Sequence, residues 1–349
     1  MLKGIGLGLM NLARNFSLPK NNGKAKALPA SPTVGGPIIS PPHLRAIPTV
    51  NELARVFGPE VAADALDLFE IKGGRTYLKA YQGGGEVDRA GRKYMYPGMK
   101  NSPVIVGGLE DISFYPLAVT HPDHNSQSTV YYLEKYVLTQ TKTGQPVLIV
   151  DTHNHALFGW ALARHLGLTD KNAALVHVDA HFDDEYPYNP NRNRPKGETL
   201  EDWLTWSKEY ADISSFLYPG NGKLFNEAIF ILTKNNGLGV DREQGDRDGC
   251  RQPGRIISVE RVLAEIKQLR AAGKKVIIDL DLDYFAHYFQ EEKDSGVEAK
   301  DRISLAENKR QIKELLQQAD FITVATSPDW FADQQVVVQA LLRELLGLA

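Results

Sequence analysis

From about residue 100 the chain alternates short apolar, β-branched runs with longer stretches whose apolar positions recur at helical spacing. The runs SPVIVGG (102–108) and PVLIVD (146–151) are bounded by Pro and Gly or by polar residues, as buried strands are. HALFGWALARHLGL (155–168) predicts a helix, and AALVHVD (173–179) and NEAIFIL (226–232) predict strands. SVERVLAEIKQLRAAG (258–273) reads as a helix with Ser258 as N-cap, Glu260 and Arg261 in its first turn and Gly273 just past its end. The strand KKVIIDLDLDYF (274–285), the helix SLAENKRQIKELLQQAD (304–320), the strand FITVATSP (321–328) and a C-terminal helix around QQVVVQALLRELLG (334–347) complete the series. Such alternation predicts an α/β fold with a mainly parallel sheet flanked by helices on both faces. No internal repeat is present.

The N-terminal hundred residues read differently. Residues 17–49 are rich in Pro, Gly, Ser and Lys, a composition that resists packing, so residues 1–48 are expected to form a flexible arm or linker. A single amphipathic helix is predicted over TVNELARVFGPEVAADALDLFE (49–70), capped by Thr49 or Asn51. Residues 49–349 are then expected to form one α/β domain, with 49–100 as its divergent N-terminal part.

The strand ends carry the chemistry. In an open α/β sheet, ligands sit beyond the carboxyl ends of the strands, and three of the predicted strands crowd their polar residues there. AALVHVDAHFD ends in Asp179, His181 and Asp183, VIIDLDLDYF carries Asp279, Asp281 and Asp283, and PVLIVDTHNH ends in Asp151, His153 and His155. Alternate residues of an extended chain share a face. Clustered buried carboxylates are costly without a cation. Carboxylates and imidazoles without thiolates suit manganese, iron or zinc. His165, inside a predicted helix, and His177, in mid-strand, read as core residues instead.

Composition narrows the remaining classes. The 349 residues are 42% hydrophobic and 24% charged, with 40 Lys+Arg against 43 Asp+Glu and a net charge of −3. Neither nucleic acid nor an anionic membrane has electrostatic support as a partner. Cys250 is the single cysteine, so neither a disulfide framework nor a thiolate zinc site is expected, and a reducing, cytoplasmic setting fits. The apolar run at the N-terminus is shorter than a signal peptide's core, and no segment reaches the roughly 18 to 20 apolar residues of a membrane span.

HVDAHFD resembles the D-A-H-x-D signature of the ureohydrolases, the arginase and agmatinase superfamily. VIIDLDLDYF is similar to their S-hydrophobic-D-hydrophobic-D signature, and PVLIVDTHN aligns with the strand ending in G-G-D-H-S. Order and spacing agree over residues 146–283, and FITVATSP resembles the family's last core strand. The combination looks closest to a divergent branch that includes peptide arginases, which convert arginine to ornithine within precursor peptides of ribosomal natural-product pathways. The N-terminal ~100 residues fall outside the resemblance.

The resemblance implies an arginase-like three-layer fold, two Mn2+ ions and release of urea from peptidyl-arginine by a metal-bridging hydroxide. Its metal ligands would be His153, Asp179, His181, Asp183, Asp281 and Asp283, with His155 and Asp279 as alternatives if the alignment slips by two residues. Asp183 or His155 would serve the proton transfer. The chain departs from the family at the strand ending E-x-N-P, where it has Ala325, Thr326, Ser327 and Pro328. Candidates to take the place of that strand's glutamate are Asp184 and Glu185, or Asp241, Glu243, Asp246 and Asp248 in GLGVDREQGDRDGCRQPG, with Thr326 as a further expected substrate-binding residue. The expected partner is an arginine-containing precursor peptide, with homo-oligomers common in the family. Two further readings stand beside this one. A deacetylase-type amidohydrolase would need an adjacent His-His pair and a tyrosine in a glycine-rich turn, which are missing here, and a non-catalytic metal-stabilised binding module would need a closed site.

Overall fold

Continuous apolar runs make strands that are buried on both faces, and four of them form the centre of this molecule. In chain order the strands are β1 (Phe69–Lys72), β2 (Arg75–Gly83), β3 (Glu86–Val87), β4 (Lys93–Tyr94), β5 (Ser102–Val106), β6 (Phe114–His121), β7 (Ser126–Leu133), β8 (Tyr136–Gln140), β9 (Pro146–Val150), β10 (Ala174–Asp179), β11 (Glu227–Leu232), β12 (Arg242–Glu243), β13 (Gly254–Ile256), β14 (Val276–Asp281) and β15 (Phe321–Ala325). The helices are α1 (Thr49–Phe57), α2 (Pro59–Ala65), α3 (Ala156–His165), α4 (Leu200–Tyr210), α5 (Leu217–Gly220), α6 (Val259–Ala271), α7 (Leu305–Leu316) and α8 (Gln335–Leu346). Every residue of β9, β10, β14 and β15 is buried. The computed structural model describes residues 49–83, 86–87, 93–94, 101–121, 126–181, 183, 195, 197–211, 213, 215–232, 242–243, 254–256, 258–289, 304–328 and 335–347. The expected arm, residues 1–48, lies outside the described residues.

Eleven strands form one mixed sheet in the order β1-β2-β5-β8-β9-β15-β14-β10-β11-β13-β12. The block from β9 through β13 is parallel throughout, and antiparallel strands extend it at both edges. From β9 the chain advances by way of α3 to β10, β11 and β13, then returns through α6 to β14 and through α7 to β15. Right-handed crossovers running in opposite directions place their helices on opposite faces of the sheet. Accordingly α3 packs on α4, while α6 packs on α7 and α7 on α8. The neighbours β10 and β14 send their chains in opposite directions, so a crevice opens between their carboxyl ends, the place where α/β sheets bind ligands.

Helix α3 lies close against the sheet. A Cβ added to Gly159 would come within 2.7 Å of Leu148 Cδ2 and 2.9 Å of Thr323 Cγ2, so only glycine permits this contact with β9 and β15. Ser258 caps α6 by accepting from Arg261 N, as expected from the sequence. The single helix predicted over 49–70 is two: Gly58, at φ 88°, turns the chain and Pro59 starts α2. Phe69 and Glu70 already belong to β1. The strands β1, β2 and β6 to β8 were not predicted; polar residues interrupt the pattern in β1, β2 and β7, and β6 and β7 form a separate two-stranded ribbon. No helix among the described residues is long and apolar enough to cross a membrane.

Candidate metal centre

Strand β10 ends at Asp179, and the pleat does not carry the next two polar residues to its face. Instead the Asp179 carboxylate accepts from His181 N at 2.6 Å, folding the chain into a tight turn. Asp183 then takes a left-handed backbone at φ 46°, a conformation aspartate tolerates better than most residues. On β14, Asp281 ends the strand and accepts from Asp283 N at 2.9 Å, capping a 3-10 turn over Leu282–Tyr288. His153 opens another 3-10 turn, His153–His155, between β9 and α3. Turns therefore achieve the convergence that alternation alone predicted.

His153 sits at the centre. Its Nδ1 lies 2.8 Å from Asp179 Oδ2, 3.1 Å from Asp183 Oδ2 and 3.2 Å from Asp281 Oδ2. Yet among the described residues neither His153 Nδ1 nor Asp179 Oδ2 makes a hydrogen bond of acceptable direction. Atoms this close without hydrogen-bond geometry suit a shared divalent ion, since bonds of about 2.0–2.2 Å to one ion impose separations near 3 Å. Beside them, His181 Nδ1 lies 2.9 Å from Asp283 Oδ2 and 3.4 Å from Asp179 Oδ1. Two groups of ligand atoms result, His153, His177, Asp179 and Asp183 in one and Asp179, His181 and Asp283 in the other, each within 4.8 Å. Asp179 belongs to both, as a bridging carboxylate between adjacent ions would. The donor set fits hard or borderline divalent metals. His181, with 42% of its side chain exposed, forms the open side.

Behind the ligands runs a buried network. Asp279 Oδ2 accepts from His153 Nε2 and from His177 Nδ1, both at 2.8 Å. Its Oδ1 accepts from Thr323 Oγ1, which in turn accepts from Trp160 Nε1 of α3 at 3.0 Å. Ser327, held at φ 42°, donates to both oxygens of Asp281. These partners fix the orientations of the candidate ligands, as outer hydrogen bonds do in metal sites.

Without an ion, acids and imidazoles must balance one another. Burial alone would lower His177 and His181, but the adjacent Asp179 carboxylate outweighs it, joined by Asp279 for the first and Asp283 for the second. The two are held up at about 10 and about 11. Burial also works against the charge on Asp279, yet His153 and His177 hold it down at about 2. Burial and then the Asp179 charge push Asp183 up to about 7 and Asp283 well above the carboxylate range. Burial pushes Asp151 up to about 6, against a hydrogen bond from Tyr136.

The predicted residues His153, Asp179, His181, Asp183, Asp281 and Asp283 meet in this cluster. Asp279 lies behind it, hydrogen-bonded to two histidine rings. His155 is outside both ligand groups and pairs through Nδ1 with Tyr81 of β2 at 2.5 Å. Thr326 is buried on the strand end beside β9, its N donating to Val150 O. Asp184, Glu185, Asp241, Asp246 and Asp248 lie outside the described residues, and Glu243 falls on the edge strand β12. His165, expected in the core, is exposed at the end of α3 because the helix turns that position to solvent. His177 is in the core but hydrogen-bonded to Asp279 and 3.2 Å from Asp179, a role not expected from its sequence. Its signal was a histidine in mid-strand, level in register with Asp279 on the neighbouring strand. Tyr81, Tyr136, Thr323 and Ser327 were missed too, because only the fold brings them here.

No family model matches the chain, and no curated protein matches it in sequence. Among solved structures it is similar to the arginase from Bacillus caldovelox, in its native structure at pH 5.6. Identity is 17% over 59% of this chain and 69% of that one, with a TM-score of 0.32.

Proposed function

We propose that this protein is a divalent-metal-dependent hydrolase of guanidino groups that converts peptidyl-arginine to peptidyl-ornithine and urea. The observation that carries the reading is the convergence of His153 Nδ1 with Asp179, Asp183 and Asp281 without hydrogen-bond geometry, beside a second group sharing Asp179. The segments supplying these ligands are those that resemble the ureohydrolase signatures. Two divalent ions bound there, taken as manganese, would supply positive charge and an acidified water at neutral pH.

The chain's own residues do the rest. Water oxygen bonds to the guanidinium carbon, the bond from that carbon to the arginine side-chain nitrogen breaks, and the amine leaves with a proton. Asp183, through the carboxylate oxygen not turned to the metal position, takes the proton from the attacking water and hands it to the amine. His155 is the second proton carrier, with Tyr81 fixing its ring. For the planar cation, the buried acceptors without a donor among the described residues include Asp151 Oδ2 and Thr326 Oγ1, at neighbouring strand ends. Asp151 serves as the acid that the strand ending Ala325–Pro328 lacks, with Asp184 and Glu185 as the further acceptors.

The test is mass spectrometry of arginine-containing peptides incubated with the manganese-loaded full chain. A loss of about 42 Da per reacted arginine, with urea in equal amount, is expected of hydrolysis by this route. No mass change on any arginine peptide and no urea would overturn the reading, and acetate release from an acetylated peptide would replace it with a deacetylase.

A further inference from the structure

We infer that His177 is itself a metal ligand, adding a second imidazole nitrogen to the inner ion position and tilting that position toward borderline ions such as zinc or iron(II) over manganese. This rests on the reading that the cluster holds divalent ions, and it goes beyond the ligands that the sequence signatures supply. Asp279 Oδ2 lies 2.8 Å from both His153 Nε2 and His177 Nδ1. A carboxylate only accepts, so both of those nitrogens carry hydrogen. A neutral imidazole then has its lone pair on the other nitrogen, which is Nδ1 in His153 and Nε2 in His177.

Both of these nitrogens are buried, and neither has a hydrogen-bond partner among the described residues. The rings are stacked, with centroids 5.1 Å apart and planes 8° from parallel. Both lone-pair nitrogens close on one atom, Asp179 Oδ2, at 2.8 Å and 3.2 Å. One ligand atom from each of His153, His177, Asp179 and Asp183 fits within a 4.8 Å span, as four ligands of one ion do. A histidine serving only as a partner of Asp279 would leave its Nε2 buried without function, at the cost of an unsatisfied polar group. Replacing an oxygen donor by a second imidazole raises affinity for later first-row ions, since imidazole suits zinc and iron whereas carboxylate suits manganese.

The experiment uses the metal-free full chain titrated with zinc, manganese and cobalt(II), with affinities read by competition and coordination by the visible absorption of cobalt. His177→Asn keeps an N–H where Nδ1 donates to Asp279 but removes Nε2. In this variant the ratio of zinc to manganese affinity should fall by about tenfold or more, with a weaker cobalt band. Equal ratios and spectra in variant and wild type would overturn the role of His177 while leaving the metal centre intact. A wild type that takes up none of the three ions would overturn the centre itself. Should His177→Asn not fold, nitrogen NMR of the zinc-loaded wild type with labelled histidine decides. Three metal-shifted imidazoles, one through Nε2, support the inference, and two bound only through Nδ1 overturn it.

Discussion

Neutralising Asp279 tests the network beneath the cluster most sharply. Asp279 is fully buried and accepts hydrogen bonds from His153, His177 and Thr323. In Asp279→Asn the amide oxygen can still face the two imidazoles, while its NH2 turns to Thr323 Oγ1. The two imidazole bonds then lose their charge assistance. Bonds to charged groups contribute about 1.5–3 kcal/mol and neutral ones about 0.5–1.5, so the pair loses roughly 2–3 kcal/mol. If the amide turns the other way the loss approaches the ~3–5 kcal/mol of a broken buried ion pair. Urea denaturation in excess chelator reads this as a lower midpoint at unchanged slope. Metal affinity, measured separately, should fall about 10- to 100-fold, because His153 loses the acceptor that orients it. An unfolding midpoint equal to wild type, or unchanged metal affinity, would refute this account of Asp279.

Three other outcomes follow from the same geometry. In chelator, His177 and His181, raised to about 10 and about 11, stabilise the fold fully below their ordinary value near 6.5, and that contribution is lost as pH rises through the folded values. With manganese in excess the ions compete with those protons, so the gap between metal-bound and metal-free midpoints should widen as pH rises; a gap independent of pH contradicts the ligand assignment. Asp151→Asn should raise KM for an arginine peptide more than it lowers kcat, by about tenfold for one lost charged acceptor, and an unchanged KM removes Asp151 from substrate recognition. Gly159→Ala should destabilise by about 1–3 kcal/mol in chemical denaturation, because its Cβ meets Leu148 and Thr323 under 3.0 Å, and an unchanged midpoint would mean that α3 sits farther from the sheet.

Much of the parallel core was legible because β9, β10, β14 and β15 are buried on both faces and so carry unbroken apolar runs. The antiparallel edge was not. Strand β1 reads FEIK with Ile71 exposed, and β2 mixes lysine and glutamine with its tyrosines, so neither gives a clean period. The ligand cluster was legible as three polar strand ends, yet its assembly by an Asp179 turn and a left-handed Asp183 depends on backbone geometry that alternation does not encode. His177 was misread because a lone mid-strand histidine has no local partner in sequence. Its partners Asp179 and Asp279 become visible only when β14 lies beside β10 in register.

The most direct measurement counts ions. The full chain, stripped by chelator, equilibrated with manganese and freed of unbound ion by gel filtration, should hold about two per chain by elemental analysis, as two ligand groups sharing Asp179 require. Asp179→Ala should bring this close to zero. A wild type that retains no more metal than Asp179→Ala would contradict the account.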